Sequence, residues 1–179
     1  MPDSLTIVPP PLDLPRPEFA PRLEPLPEGY QLFPFGIVAS TFDMLHGGHV
    51  LMLEDAKRRC ERLFVGLQTD PSTTDPSYRG KKKNPPIQDL ELRYIELEPH
   101  VRGRGEIFLY ETEEDLRACI EKIAVLGPHI RVLGSDWEGK YATAEEHAAV
   151  VYYHRRNHPW SSTYMRERLA EQMGILRAA

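Results

Sequence analysis

The sequence predicts an α/β protein, a parallel sheet flanked by helices, in a single domain over residues 30–179 behind a proline-rich arm, residues 1–29. Three observations predict it. Short apolar runs alternate with stretches whose apolar residues recur at helical spacing, the signature of strand–helix–strand units. The runs are continuously apolar rather than alternating, as strands covered on both faces must be. The length, 179 residues, suits one well-buried domain and is too short for two ordinary ones.

Each element follows in chain order. Nine of the seventeen prolines fall within the first 27 residues, where no period survives and proline removes backbone donors. Residues 1–29 therefore read as an extended arm of polyproline character. It is either a plain disordered leader or a strap whose scattered Leu, Ile and Phe wrap onto the body or a partner. The run PFGIVAS, 34–40, is a buried strand. Residues 48–61 form a helix with Leu53, Ala56, Cys60 and Leu63 on its apolar stripe and Glu54, Lys57, Arg58 and Glu61 mostly opposite. LFVGLQ, 63–68, is the next strand, followed by a long polar segment, 69–86, dense in turn formers. Residues 87–98 read as a helix stopped by Pro99, and EIFLYE, 106–111, as a strand. Thr112 and Asp115 open a helix with a capping-box pattern, Leu116, Cys119, Ile120 and Ile123 form its stripe, and Gly127-Pro128 closes it. IRVLGS, 130–135, and AVVYYH, 149–154, are strands, and a final helix from Ser161 turns Met165, Leu169 and Met173 inward.

Composition narrows the function. With 41% apolar and 27% charged residues the chain reads as a soluble globular protein, and no apolar run approaches the roughly 18 residues of a membrane span. The start shows no basic region followed by an apolar core, so no signal peptide is expected. A formal charge of -5 argues against nucleic acid or an anionic membrane as the main partner. The two cysteines, Cys60 and Cys119, match no CxxC pattern and sit on apolar stripes, as small buried hydrophobes of a reducing cytoplasm.

The stretch STFDMLHGGH, 40–49, carries the chemistry. It lies where the first strand hands over to a helix, the place at which such sheets bind ligands. His46 and His49 are separated only by Gly47 and Gly48, each of which costs a helix interior roughly 1 kcal/mol. The glycines allow a close backbone approach, and the helix start offers unpaired N–H groups and a positive end, which is a phosphate site. Imidazoles at i and i+3 leave one side of a first turn and can donate to phosphoryl oxygens as charge builds up in an in-line displacement. A zinc centre needs about four ligands, and no Cys or carboxylate stands at ligand spacing, so no protein-held metal is expected.

TFDMLHGGH resembles the HxGH signature of the cytidylyltransferase-like nucleotidyltransferases, enzymes of Rossmann-like fold that join a nucleoside triphosphate to a phosphate-bearing substrate and release pyrophosphate. Residues 39–70 and the segment VLGSDWEGKY, 132–141, are similar to glycerol-3-phosphate cytidylyltransferases in particular. An Arg followed five residues later by Ser-Thr-Thr at the start of the last helix is the family's third element, and here it is Arg156 and Ser161-Ser162-Thr163. The resemblance covers roughly residues 35–173.

The resemblance implies the following roles. His46 and His49 bind and stabilise the α-phosphate. Thr41 and Phe42 line the nucleotide, Asp43 braces the loop, and Gly48 belongs to the nucleotide-binding turn. Arg156, Ser161, Ser162 and Thr163 hold the β- and γ-phosphates. Asp136, Trp137 and Lys140 shape the nucleoside and acceptor pocket. Lys82 lies about where the family places a phosphate-binding lysine, although the run Lys81–Lys83 reads equally as a solvated stretch, and Arg93 matches a family arginine. Mg²⁺ arrives with CTP, the second substrate is a small phosphorylated acceptor, and a cytoplasmic homodimer is implied. Three departures stand out: Ser40 in place of a glycine, NHPW (157–160) in place of a small, acidic segment, and the arm. The alternatives are an adenylyl-transferring relative of the same fold and a scaffold protein that has lost catalysis.

Overall fold

The computed structural model describes residues 23–73 and 84–174. Most of the arm, the lysine run 81–83 and the last five residues lie outside that range. Nine elements follow in order: β1 (Phe33–Ser40), α1 (Gly47–Lys57), β2 (Cys60–Gln68), α2 (Leu90–Val101), β3 (Gly105–Tyr110), α3 (Glu113–Leu126), β4 (His129–Gly134), β5 (Val150–His154) and α4 (Ser162–Gln172).

The strands form one sheet in the order β3-β2-β1-β4-β5, and every pairing is parallel. From β1 the chain runs outward through β2 and β3, then returns to the other side of β1 as β4 and β5. The reversal places a crevice at the carboxyl ends of β1 and β4. Alternate residues of each strand serve opposite faces. Val38, Val65, Leu67, Ile130 and Val132 meet Leu53 and Ala56 of α1 and Leu97 and Val101 of α2. Ile37, Phe64 and Tyr110 meet Leu116, Ile120 and Ile123 of α3. The capping box of α3 is present, with Thr112 and Asp115 bonded reciprocally.

Three expectations are corrected. Helix α1 ends at Lys57 rather than 61, because Cys60 pairs with Phe33 and opens β2. An apolar residue at 60 fits either period, and strand pairing decides it. Pro99 lies inside α2 instead of ending it: the helix loses the bond its N–H would have made, while Arg102 N–H bonds the Glu98 carbonyl at 2.9 Å and closes the last turn. Met165, Leu169 and Met173 do not point inward, being 40%, 48% and 65% exposed, and no residue of α4 is buried. The described end of the arm lies on the body, where Arg58 donates to the Glu24 carbonyl at 3.0 Å.

Candidate active site

Between β1 and α1 the chain makes a strained turn. Phe42 and Met44 adopt positive φ, 50° and 52°, conformations that cost residues with a Cβ roughly 1–3 kcal/mol each. Asp43, between them, holds the turn. Its Oδ1 accepts from the N–H groups of Ile87 and Gln88, both at 3.0 Å, and its Oδ2 from Arg166 of α4 at 2.7 Å. Burial by itself raises the Asp43 carboxyl, but the Gln88 N–H, Arg166 and the Ile87 N–H outweigh it and hold it below its ordinary value.

His46 caps α1, its Nδ1 accepting from the His49 N–H at 3.3 Å. That leaves Nε2 to carry the proton of the neutral ring. The two imidazoles are stacked, centroids 3.8 Å apart and planes 17° from parallel. Burial pushes His46 down to about 4, helped by the positive charge of Arg156 and of His158. Burial likewise pushes His49 down to about 3, with His46 and Arg156 adding to it. Both rings are therefore neutral at neutral pH, and an arriving anion favours their protonation.

The glycines between the histidines do answer to a close approach, and the protein itself supplies the partner. A Cβ on Gly47 would lie 2.7 Å from Trp160 Cε3, and one on Gly48 would lie 2.6 Å from the Trp160 carbonyl oxygen. Trp160 stacks on His158, centroids 5.1 Å apart, so the segment 157–160 forms an aromatic wall against the turn.

Two adjoining chambers of about 500 and about 530 Å³ open at the carboxyl ends of the strands. They share Ser40, His49, Met52, Gly134, Asp136 and Arg156. Arg156 pairs with Asp136 at 2.9 Å across the end of β4. A Cβ on Gly134 would come within 2.6 Å of Asp136 Oδ1 and 3.1 Å of Arg156 Nη2, so glycine there makes room for the pair.

The first chamber brings together Thr41, Phe42, Asp43, His46, Gly48, His49, Asp136, Arg156, Ser161, Ser162 and Thr163. Phe42 takes part from beneath: it is fully buried and its ring lies 5.1 Å from that of His49. Ser161 Oγ caps α4 by accepting from Tyr164 N–H at 3.0 Å, and Ser162 Oγ donates to the Asp43 carbonyl at 3.1 Å. Trp137 and Lys140 line the second chamber with Tyr110 and Tyr141.

Arg93 is not on either wall. It is 1% exposed, and its guanidinium donates to the carbonyls of Thr41 (2.9 Å), Gln68 (2.7 Å), Thr69 (2.5 Å), Gln88 (3.2 Å) and Asp89 (3.3 Å). It ties together the strand ends behind the site. Lys82 lies outside the described residues. Sequence reasoning missed Arg166, which carries no local signal, and His154, which the strand-end position on β5 would have flagged.

Ser161 and Ser162 are engaged in the fold, and Asp43 and Asp136, the carboxylates lining the chamber, each face an arginine. Neutral imidazoles, arginines and two helix starts around an open cavity are groups suited to anionic oxygens such as those of phosphates, the setting that phosphate-transferring α/β enzymes use. Residues 37–168 match the cytidylyltransferase-like family, and the chain belongs to it. It is 30% identical over 134 residues to glycerol-3-phosphate cytidylyltransferase of Bacillus subtilis (strain 168), a match covering 75% of this chain and 95% of that enzyme. It is 32% identical over 111 residues to the bifunctional protein HldE of Nitrobacter hamburgensis, covering 62% of this chain. The corresponding protein of Caulobacter vibrioides is 34% identical over 104 residues, 57% of this chain. The chain spans 21% and 19% of the length of these two bifunctional relatives.

Proposed function

We propose that this nucleotidyltransferase transfers CMP from CTP to a phosphorylated small alcohol, glycerol 3-phosphate or a close analogue, giving a CDP-alcohol and pyrophosphate. The observation that carries the reading is the stacked pair His46 and His49 at the start of α1, facing the same cavity as Arg156 and the start of α4. The similarity to the Bacillus subtilis enzyme over 95% of its length supports the cytidylyl assignment.

In this reaction an oxygen of the acceptor phosphate bonds to the α-phosphorus of the triphosphate while the bond to the bridging oxygen of pyrophosphate breaks. The acceptor is already an anion, so no nucleophilic side chain is required and catalysis is positioning plus charge neutralisation. His46 and His49 donate to the α-phosphate, and Arg156 leaves Asp136 to join the first turn of α4 (Ser161, Ser162, Thr163) and Lys82 on the outer phosphates. Thr41, Phe42, Asp43 and Gly48 shape the turn under the nucleotide. Trp137 and Lys140 serve the second chamber, and Arg93 acts from behind by fixing the strand ends. Mg²⁺ bound to the triphosphate would shield its charge. Among the described residues no three His, Cys, Asp or Glu side chains form a ligand set.

The same proposal includes a homodimer, to be checked by sedimentation, and residence in a reducing cytoplasm, consistent with two free cysteines. Among the described residues no helix is long and apolar enough to cross a membrane.

Pyrophosphate release with each of the four nucleoside triphosphates, against glycerol 3-phosphate and a panel of sugar and alditol phosphates, tests the reading. A pocket that hydrogen-bonds one base leaves polar groups unpaired with another, so CTP should exceed ATP by about 10²-fold or more in kcat/KM. Faster turnover with ATP for every acceptor would replace the cytidylyl assignment by an adenylyl one.

A further inference from the structure

The first chamber holds a third histidine that none of these roles uses. His154 ends β5 opposite Gly134 in the sheet register and is 4% exposed. Its Nδ1 lies 2.9 Å from Oδ2 of Asp55, a buried residue of α1. The same carboxylate accepts from Arg58 at 2.8 Å, Arg59 at 3.2 Å and the Tyr152 hydroxyl at 3.0 Å. Burial alone raises the Asp55 carboxyl, but His154, Arg58, Arg59 and Tyr152 outweigh it and drive it far below its ordinary value. Asp55 is thus an anion that can only accept, and Nδ1 of His154 must carry a proton. Nε2, the nitrogen turned away from Asp55, is buried and has no hydrogen-bond partner among the described residues. Buried polar atoms in folded proteins almost always have a partner.

The cavity tells what that partner is. Its wall offers His46, His49, Arg156, Arg166 and the starts of two helices, so the ligand group it accepts is an anionic oxygen. With Nδ1 given to Asp55, a hydrogen bond from Nε2 to such an oxygen requires the doubly protonated ring, held between Asp55 and the ligand. The charged and titratable groups around this pair are Arg58 and Arg59 of α1 and Tyr152 of β5, which all bond Asp55, and His158, whose ring centre is 6.5 Å from that of His154.

We propose that His154 is a third phosphate-binding imidazole of this site, contacting the phosphate chain of the bound triphosphate through Nε2. Asp55 is the positioning residue that fixes its tautomer and balances its charge. The proposal rests on the nucleotidyltransferase reading, because it requires a polyphosphate in the cavity.

Nitrogen-15 spectra of the histidines in the full chain, titrated with inorganic tripolyphosphate, provide the test. His154→Phe, His46→Gln and His49→Gln assign the signals. Nδ1 of His154 should be protonated throughout, and Nε2 should shift from a bare to a protonated nitrogen as tripolyphosphate binds. In Asp55→Asn that protonation should be lost, and in His154→Phe the dissociation constant should rise about tenfold or more. If the His154 signals stay still while those of His46 and His49 move, the proposal is wrong and the nucleotidyltransferase reading stands. If none of the three responds, both fall. Should His154→Phe fail to fold, His154→Gln takes its place, both to assign the signal and in the binding measurement.

Discussion

The two helix starts that face the first chamber are held in opposite ways. Helix α1 is rooted in the core: Leu53 and Ala56 are fully buried against β1, β2 and β4, and Asp55 is fixed in a buried polar network. Helix α4 has no buried residue, and its described attachments to the turn are polar, Ser162 to the Asp43 carbonyl and Arg166 to the Asp43 carboxylate. One helix start is therefore fixed by apolar burial and the other by a few hydrogen bonds converging on one residue. Burial is insensitive to what occupies the cavity, whereas polar contacts exchange readily with water and ligand. On the proposed mechanism this assigns chemistry to the rigid start and the opening and closing of the site to the loosely held one.

The largest expected effect is at the rigid start. His46→Ala or His49→Ala should lower kcat by about 10²–10³-fold, as for loss of an oxyanion donor, with little change in nucleotide binding. Steady-state kinetics that show only a higher KM would remove the transition-state role.

Stability should divide the same way. Leu53→Ala leaves a cavity in the core and should cost about 2–5 kcal/mol in urea unfolding. Met165→Ala on α4 should stay within about 0.5 kcal/mol. Equal costs would mean that α4 is covered in solution.

Arg166→Ala frees the polar tether of α4. The KM for the triphosphate should rise about tenfold while kcat holds within about twofold, since a bond to a charged group is lost away from the reacting phosphorus. Faster amide exchange in the first turn of α4 but not of α1 would accompany it.

Gly47→Ala probes the wall that closes on α1. The new Cβ meets Trp160 at 2.7 Å, so the variant should lose about 1–3 kcal/mol despite its better helix propensity. Trp160→Ala in the same chain should recover most of that, giving a coupling energy of about 0.5–3 kcal/mol in a double-mutant cycle. Strictly additive costs would show that the two do not touch.

At neutral pH the smallest effect concerns protons. Folding holds His46 at about 4 and His49 at about 3, below the unfolded value near 6.5, so between pH 6.5 and about 3 the unfolded chain binds more protons. The stability contributed by the neutral pair is complete above 6.5 and is lost as the pH falls through that window. His129, pushed down to about 4 by burial and by the charges of Arg131 and His147, acts in the same sense. Triphosphate binding near pH 6 should take up protons, read as a dependence of calorimetric heat on the buffer's ionisation enthalpy, and His46→Gln should reduce it.

What the sequence determined by itself is what short-range patterns encode. Continuous apolar runs separated by helical stripes specify a parallel sheet, and that sheet's geometry places STFDMLHGGH, the end of β4 and the start of α4 around one crevice before any contact is known. What the tertiary structure decided is which groups meet across the chain. The five carbonyls that turn Arg93 away from the chambers come from three separate segments, 41, 68–69 and 88–89. The partner of Gly47 is 113 positions away at Trp160, and that of His154 is 99 positions back at Asp55. Periodicity assigns residues to a face, and on that ground Cys60 fitted two elements and Met165, Leu169 and Met173 were expected to be buried. It does not say whether anything covers the face, because burial depends on the mass the rest of the fold brings there, and among the described residues the fold leaves α4 uncovered.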